Sequence, residues 1–257
     1  MAKIVANSLN NLYLCPNFCT ASDPCCFLTK YRTSTTGISL PDGWLMPNTP
    51  SLSRAVMRRC CRARYVAGIR VLVRKMAESV CRPISYNRIN NLLSSVGGKL
   101  SLATTIKYVE YCEEAWLLLR LRNYASTLAD KESNCKYYFI DTGILGLFLI
   151  DKDAMLLENL VAIQLFRLYG HDIDNGRVFF YNDGYEVDFY IPDDELAIQV
   201  SYSLRDEETR KRETEALGKL PNRLPCRRRL ILTYDEEETI SDKHGTIEVM
   251  PVWKWLL

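Results

Sequence analysis

Apolar and polar residues alternate along two short runs in the second half of the chain. The runs are Glu186–Ile191 and Leu196–Tyr202, and Pro192 with three acidic residues separates them. Alternation with a period of two, interrupted by turn-forming residues, predicts an antiparallel hairpin. Side chains of a strand point to opposite faces in turn. We therefore expect one face to carry Glu186, Asp188 and Tyr190, the opposite face Val187, Phe189 and Ile191, and the second strand to place Gln199 and Ser201 together.

The polar face of this hairpin supports two interpretations. Two carboxylates on one strand, beside an amide and a hydroxyl on the next, could form a metal or phosphate site. An antiparallel pair with one solvated face would produce the same pattern. The helices and strands around the hairpin are needed to distinguish these two interpretations.

A helical pattern precedes the hairpin and begins near residue 69. Ile69, Leu72, Val73 and Met76 recur at helical spacing. Ser85 can cap a helix over Tyr86–Ser94, and Ser101 or Thr104 can begin another. The segments LLLRLRNYA and CKYYFID follow as two strands. This order of helix, turn, helix and hairpin is typical of a winged helix-turn-helix, and we assign it to residues 69–140.

In such a module the second helix meets the major groove of double-stranded DNA with its first residues. The side chains that would contact DNA suit phosphates better than base edges. They are Arg88, Lys99, Ser101, Thr104, Thr105 and Lys107. Alternatively, the module only packs against its neighbours.

Residues 141–257 predict a mixed α/β arrangement around the hairpin. A short helix at Ile144–Leu149 and a long one at Ala154–Tyr169 precede a strand at Arg177–Tyr181. After the hairpin we expect a charged helix over Leu204–Lys219. Two further strands follow, at Arg228–Tyr234 and Ile247–Leu257. Glu158 lies beside the apolar face of the long helix, and a buried carboxylate there would need a partner.

Composition is ordinary for a globular protein, with 47% hydrophobic and 25% charged residues and a net charge of +2. This charge is too small to argue for nucleic acid by itself. No apolar run approaches the ~20 residues of a membrane span, and the N-terminus is a weak match to a secretory signal. We expect a cytoplasmic protein.

The first 68 residues are atypical, and we interpret them as a leader without a regular fold. Arginines crowd the segment from Arg54 to Lys75, which has no acidic residue. The segment could be a basic arm for nucleic acid, a solvated helix face, or the product of truncation or a shifted reading frame. Four cysteines between Cys15 and Cys26 lack the spacing of a zinc ribbon, so we predict free thiols.

Several segments, in order, resemble a family of uncharacterised bacterial and archaeal predicted AAA+-type ATPases, over the C-terminal part that carries no assigned function. The matching segments are PISYNRINNLLSS, KYYFIDTGILGLFL, LLENLVAIQLFRLYG, EVDFYI and LAIQVSYSL. That part also resembles the restriction-endonuclease-like, or PD-(D/E)xK, superfamily. The resemblance implies a fold of class α/β (α+β): a winged helix followed, over 141–257, by a mixed sheet flanked by helices.

The resemblance also implies a set of site residues. The superfamily uses a helix Glu, a strand Asp and a (D/E)xK on the following strand, which together hold a divalent metal. Glu158, Asp188, Gln199 and Ser201 are the matching positions, and Glu158, Glu186 and Asp188 could hold Mg²⁺. Gln199 replaces an acid and Ser201 replaces the lysine, so we expect weak or absent hydrolysis.

Two functions follow as expectations. In the first, the chain is the C-terminal fragment of such an ATPase and binds DNA or a protein partner, such as the ATPase half, through a site of little activity. In the second, it is a Mg²⁺-dependent DNA nuclease with a variant motif. The sequence contains no GxxxxGK[ST] motif, so we expect no ATP hydrolysis by this chain.

Overall fold

The computed structural model describes residues 66–97, 99–125, 134–149, 152–170 and 176–257. Most of the predicted leader, the arginine-rich segment before residue 66 and the cysteines between Cys15 and Cys26 lie outside these ranges. The described cysteines, Cys81, Cys112, Cys135 and Cys226, form no disulfide bond with one another.

The first described part is helical and ends in a hairpin. Ser101 caps its third helix, with the Ser101 hydroxyl accepting a hydrogen bond from the backbone N–H of Thr104. The predicted order of helix, helix and two strands is confirmed. The elements are α1 (Val66–Glu78), β1 (Ile84–Ser85), α2 (Tyr86–Gly97), α3 (Leu102–Glu114), β2 (Leu118–Asn123) and β3 (Asn134–Phe139).

The second described part alternates helices with strands. Asp141 caps its first helix and Asp206 caps the charged helix, each through a carboxylate that accepts a backbone N–H. The elements are α4 (Thr142–Gly146), α5 (Asp153–Tyr169), β4 (Phe179–Asn182), β5 (Glu186–Ile191), β6 (Leu196–Val200), α6 (Glu207–Lys219), β7 (Arg228–Thr233), β8 (Glu238–Asp242), β9 (Gly245–Pro251) and α7 (Val252–Trp255).

The described strands form one mixed sheet flanked by helices. Their order is β1-β3-β2-β4-β5-β6-β7-β9-β8. The hairpin β5–β6 is antiparallel, as predicted, and β6 runs parallel to β7 after the crossover through α6. Strand β2 pairs with β4 in parallel at Arg122 and Asn123. The sheet therefore continues across the proposed boundary between residues 140 and 141, and the division into domains there stays a prediction.

A register shift between β4 and β5 changes the predicted faces of the hairpin. Tyr181 pairs with Val187 whereas Phe179 pairs with Tyr190, so β5 carries one extra residue between these pairs. Val187 and Tyr190 pack in the same core cluster, and Phe189 and Ile191 pack in the other. Strict alternation was therefore wrong here, because a bulge redirects the side chains that follow it.

The C-terminal end also differs from the prediction. Strand β9 ends at Pro251, and the next four residues, Val252–Trp255, form the short helix α7. The strand therefore does not extend to Leu257. Proline cannot donate a ladder hydrogen bond and is well placed before a helix. Strand β8 was not predicted. None of the described helices is long and apolar enough to cross a bilayer.

Candidate functional site: a buried lysine among three carboxylates

Lys136 on β3 lies at the point where three carboxylates converge. Its Nζ is 2.7 Å from Glu186 Oε1, 3.0 Å from Asp188 Oδ1 and 3.4 Å from Glu158 Oε1. The Lys136 side chain has no exposed surface, and those of Glu158 and Asp188 are each 13% exposed. An ammonium has three donors, so the three carboxylates can use all of them.

Three elements bring these groups together. Strand β3 is apolar around Lys136, and helix α5 supplies Glu158 while its Asn159 anchors the helix to β3 by bonding both backbone groups of Phe139. Strand β5 supplies Glu186 and Asp188. In the sheet β2 and β4 separate β3 from β5, so the long lysine side chain spans the gap. The ring of Phe180 on β4 lies 5.6 Å from Nζ.

The charges of this cluster are coupled. Burial favours the neutral amine, but Glu158, Asp188 and Glu186 together raise the pKa of Lys136 well above its ordinary value. Burial and the charge of Asp188 raise the pKa of Glu158 to about 8, although Lys136 lowers it. The ammonium therefore persists at neutral pH, and Glu158 retains its proton in much of the population.

Glu158 has two further neighbours. The Tyr138 hydroxyl donates a hydrogen bond to Glu158 Oε1 at 2.8 Å. Cys81 also lies close, and burial followed by the charge of Glu158 raises the pKa of its thiol. Cys81 has a φ of 65°, a left-handed conformation that is uncommon for a residue other than glycine. The thiol is thus protonated and poorly nucleophilic.

Asp188 is held by both strands of the hairpin. Its Oδ2 accepts the backbone N–H of Val200 at 3.0 Å, while Oδ1 accepts from Lys136. Its own backbone N–H donates to Gln199 Oε1 at 2.7 Å. These contacts hold the carboxylate in one orientation.

Gln199 has a structural role that the sequence did not reveal. Its Nε2 donates to Glu213 Oε2 on α6 at 2.5 Å, so the side chain links β5, β6 and α6. Burial and the charge of Asp188 raise the pKa of Glu213, and Arg212 opposes them. Both ends of the amide are occupied, so in this conformation Gln199 is a positioning residue and not a metal ligand.

Ser201 does not join the cluster. It is buried, and its hydroxyl donates to the backbone carbonyl of Ser203. The cation of the cluster thus comes from β3 and not from β6. The substitution of Ser201 for a lysine did not predict this lysine, which reaches the acids from another strand. A lone charged residue inside the apolar run CKYYF was the signal that could have identified Lys136.

A cleft of about 700 Å³ opens over the cluster. Glu158, Glu186 and Asp188 line its floor, and Tyr185 and Tyr202 contribute aromatic surface. Three cationic residues also line it, namely Arg82, Arg212 and Lys219. A volume of this size is typical of sites for small molecules or for part of a polymer.

The predicted Mg²⁺ ligands Glu158, Glu186 and Asp188 do converge, but on an ammonium. Glu186 Oε2 accepts from Asn182 Nδ2, which occupies another carboxylate oxygen. Across the described ranges, no set of three or more His, Cys, Asp and Glu side chains is arranged to hold a metal ion. A divalent cation would therefore require Lys136 to move or a ligand to supply further oxygens.

The predicted DNA-contacting residues divide into two groups. Arg88, Lys99, Ser101 and Lys107 are exposed, and Thr104 is half-buried beside Ser101. Thr105 is fully buried, and its hydroxyl donates to Asn90 on α2 at 2.8 Å. Including Thr105 among the DNA-contacting residues was wrong. Consecutive residues of a helix point in different directions, so Thr105 faces α2 while Thr104 lies nearer to solvent.

The chain has relatives among known proteins. It is 33% identical over 204 residues to an uncharacterised protein of Methanocaldococcus jannaschii, MJ1544, and the alignment covers 76% of this chain and 45% of the relative. It is 28% identical over 192 residues to an uncharacterised protein of Haemophilus influenzae, with 71% and 44% covered. The chain thus spans less than half the length of these two curated relatives. No protein-family model matches it, and no solved structure does either.

Proposed function

We propose that this chain is a DNA-binding module with a nuclease-like site of little or no activity, and that it corresponds to the C-terminal part of a predicted AAA+-type ATPase. The observation that carries the proposal is the Lys136 ammonium held by Glu158, Glu186 and Asp188 at the floor of a cleft. A protein partner, such as an ATPase half, is compatible with the same module.

The order of elements around the cluster supports a nuclease-like core. Helix α5 carries Glu158, the antiparallel strands β4, β5 and β6 follow, and α6 crosses to the parallel strand β7. A helix acid and a strand acid at these two places are what the PD-(D/E)xK resemblance implies.

The hydrogen bonds of the cluster argue for weak hydrolysis. Metal-assisted cleavage of a phosphodiester needs carboxylate oxygens that can bind a divalent ion. Asp188 has one oxygen on Lys136 and the other on the Val200 N–H. Exchanging these contacts for a metal ion would leave the ammonium of Lys136 buried without its counter-charges, which is costly.

The helical part supports the DNA-binding side of the proposal. Strand β1 pairs with β3, β2 also pairs with β3, and α3 lies between α2 and β2 in sequence. These pairings are those expected of a winged helix. Lys99, Ser101 and Lys107 lie exposed at the start of α3, where phosphate contacts would form.

A second function is favoured by a specific observation. Lys136 supplies the cation that Ser201 cannot, so the site holds two acids and a lysine in contact. On this basis the chain would be a Mg²⁺-dependent DNA nuclease in which the lysine has a different position in the sequence. The lysine would then stabilise charge on the phosphate after a metal ion engages the carboxylates.

The two functions are separated by a cleavage assay with purified protein, plasmid DNA and Mg²⁺ or Mn²⁺. The binding-module proposal predicts no cleavage above that of Asp188→Ala. Cleavage that is lost in both Asp188→Ala and Lys136→Ala would overturn it in favour of the nuclease. A circular dichroism spectrum of each variant controls for folding.

DNA binding is tested separately by a mobility shift at low and moderate salt. Phosphate contacts predict affinity that falls steeply with salt, and removing two contacts reduces the slope by about two. We expect this reduction for Lys99→Ala/Lys107→Ala but not for Lys211→Ala/Lys243→Ala, a matched pair of exposed lysines elsewhere. The absence of any shift at low salt would refute DNA binding.

A further inference from the structure

An exposed aromatic pair lies at the edge of the cleft. Tyr202 and Tyr234 stack with ring centroids 4.9 Å apart and an angle of 20° between the rings. Their exposed fractions are 37% and 55%, so the pair is not a core contact. Tyr202 follows Ser201 directly and lines the cleft over the cluster. Solvent-exposed aromatic rings of this kind bind nucleobases by stacking.

The depth of the cluster limits what can reach it. Lys136 is fully buried, and Asp188 and Glu158 expose little of their side chains. A phosphodiester must enter the cleft to approach them. A base-paired duplex is stiff over about 150 base pairs, and its bases are stacked on one another and are not available to an aromatic ring. A single strand can bend and enter the cleft, with its bases available for stacking.

The charges around the cleft are mixed. Arg82, Arg212 and Lys219 line it and are exposed, and Glu213 and Glu215 of the same lining pair with Arg212 and Lys219 at 2.6 and 3.0 Å. The acidic run that follows Tyr234 is paired with cations: Arg205 is 3.5 Å from Asp235, Arg210 contacts Glu238, and Lys254 contacts Glu237. The acidic residues beside the aromatic pair are thus partly neutralised, and the exposed guanidinium of Arg82 can attract a phosphate at the edge of the cleft.

We propose that the cleft binds single-stranded DNA, with one unstacked base against the Tyr202–Tyr234 pair and the backbone beside Arg82. This inference rests on the proposed function, because it names the form of DNA that the same site accepts. Duplex DNA would bind at the exposed start of α3, and the cleft would take the unpaired strand.

The test is binding of an oligothymidylate of about 10 nucleotides that carries one 2-aminopurine, a base whose fluorescence falls when it stacks. The native chain should quench the probe. Tyr202→Ala should weaken binding roughly fivefold or more, the lower limit for loss of one base–aromatic stack. Tyr202→Phe retains the ring and should bind like the native chain. Trp253→Ala removes an exposed ring that does not line the cleft, and should change nothing.

The outcomes separate this inference from the function on which it rests. If Tyr202→Ala binds and quenches the oligomer like the native chain while duplex DNA still shifts, the inference is wrong and the DNA-binding module stands. Equal loss in Tyr202→Ala and Tyr202→Phe would also overturn it, because the ring would not be the determinant. If neither single-stranded nor duplex DNA binds at low salt, both proposals fail.

Discussion

At the scale of single residues, the buried ammonium of Lys136 dominates the energetics of the site. Transfer of one charge into a protein interior costs several kcal/mol unless partners compensate for the lost water. Glu186, Asp188 and Glu158 provide that compensation within 2.7 to 3.4 Å. Removal of the lysine would leave the acidic groups of the cluster without their cation.

Replacement of Lys136 by methionine therefore tests the cluster. We expect Lys136→Met to lower the free energy of unfolding by about 3–5 kcal/mol, the usual cost of breaking a buried ion pair. Lys99→Met, at an exposed position, should change it by less than about 0.5 kcal/mol. Urea titration measures both. Adding Asp188→Asn to Lys136→Met should recover part of the lost stability. Equal effects of Lys136→Met and Lys99→Met on the free energy of unfolding would contradict the arrangement.

The pKa of Glu158 predicts how stability depends on pH. Its value in the folded chain is about 8, above the ordinary 4.5. Between these values the folded state binds the proton more tightly than the unfolded state. The free energy of unfolding therefore falls as pH rises from about 5 to about 8, by up to about 1.4 kcal/mol per pH unit from this group.

Glu158→Gln should remove that contribution. Urea unfolding at several pH values between about 5 and about 8 would show a shallower decline for the variant than for the native chain. Asp193→Asn, which replaces an exposed carboxylate, is the control and should keep the native slope. Identical slopes for Glu158→Gln and the native chain would show that Glu158 does not titrate in this range.

The individual site residues were only partly predictable. Glu158 and Asp188 could be named because each is a carboxylate within an apolar periodic segment. The charge of Lys136 within an apolar strand could have marked it as a buried lysine, but its partners could not be predicted, since it lies 52 residues from Asp188 in sequence and on a strand that is not adjacent to β5. Periodicity describes the face of one strand, whereas this contact depends on how far a long side chain reaches across the sheet.

At the scale of elements, Gln199 joins the hairpin to α6. It accepts from the Asp188 N–H and donates to Glu213, both of them buried. A buried polar group that loses its partner costs about 1–3 kcal/mol. The same link explains why an acid at this position would be unfavourable: it would place a carboxylate against Glu213.

Gln199→Leu should accordingly lower the free energy of unfolding by about 2 kcal/mol or more, because two buried groups lose partners. Gln164→Leu on α5 makes the same chemical change at a half-buried position and should lower the free energy of unfolding by less. Denaturant unfolding measures both variants. Equal costs would show that the Gln199 bridge contributes little.

Element types followed from periodicity, but details of pairing did not. The hairpin, α5 and α6 begin and end within a few residues of their predicted limits. The register shift opposite Phe180 breaks the alternation of β5, and no pattern in EVDFYI indicates it. The run IEVMPVWKWLL was apolar throughout, which does not distinguish a long strand from a strand followed by a helix.

At the scale of the whole molecule, the site depends on the continuity of the sheet. Lys136 comes from the segment assigned to a winged helix, and Glu158 and Asp188 come from the segment assigned to a nuclease-like core. Neither segment alone contains the cluster. Both candidate functions therefore depend on one cluster of charged side chains to which both segments contribute.

The most direct test of this account is a ¹H–¹⁵N NMR spectrum of the lysine ammonium groups at neutral pH. Exposed ammonium protons exchange quickly with water and are not observed, whereas one buried among three acceptors is protected. A charged, buried Lys136 should give a protected NH₃⁺ signal that is lost in Lys136→Met and shifts in Asp188→Asn. A folded native chain without such a signal would contradict it.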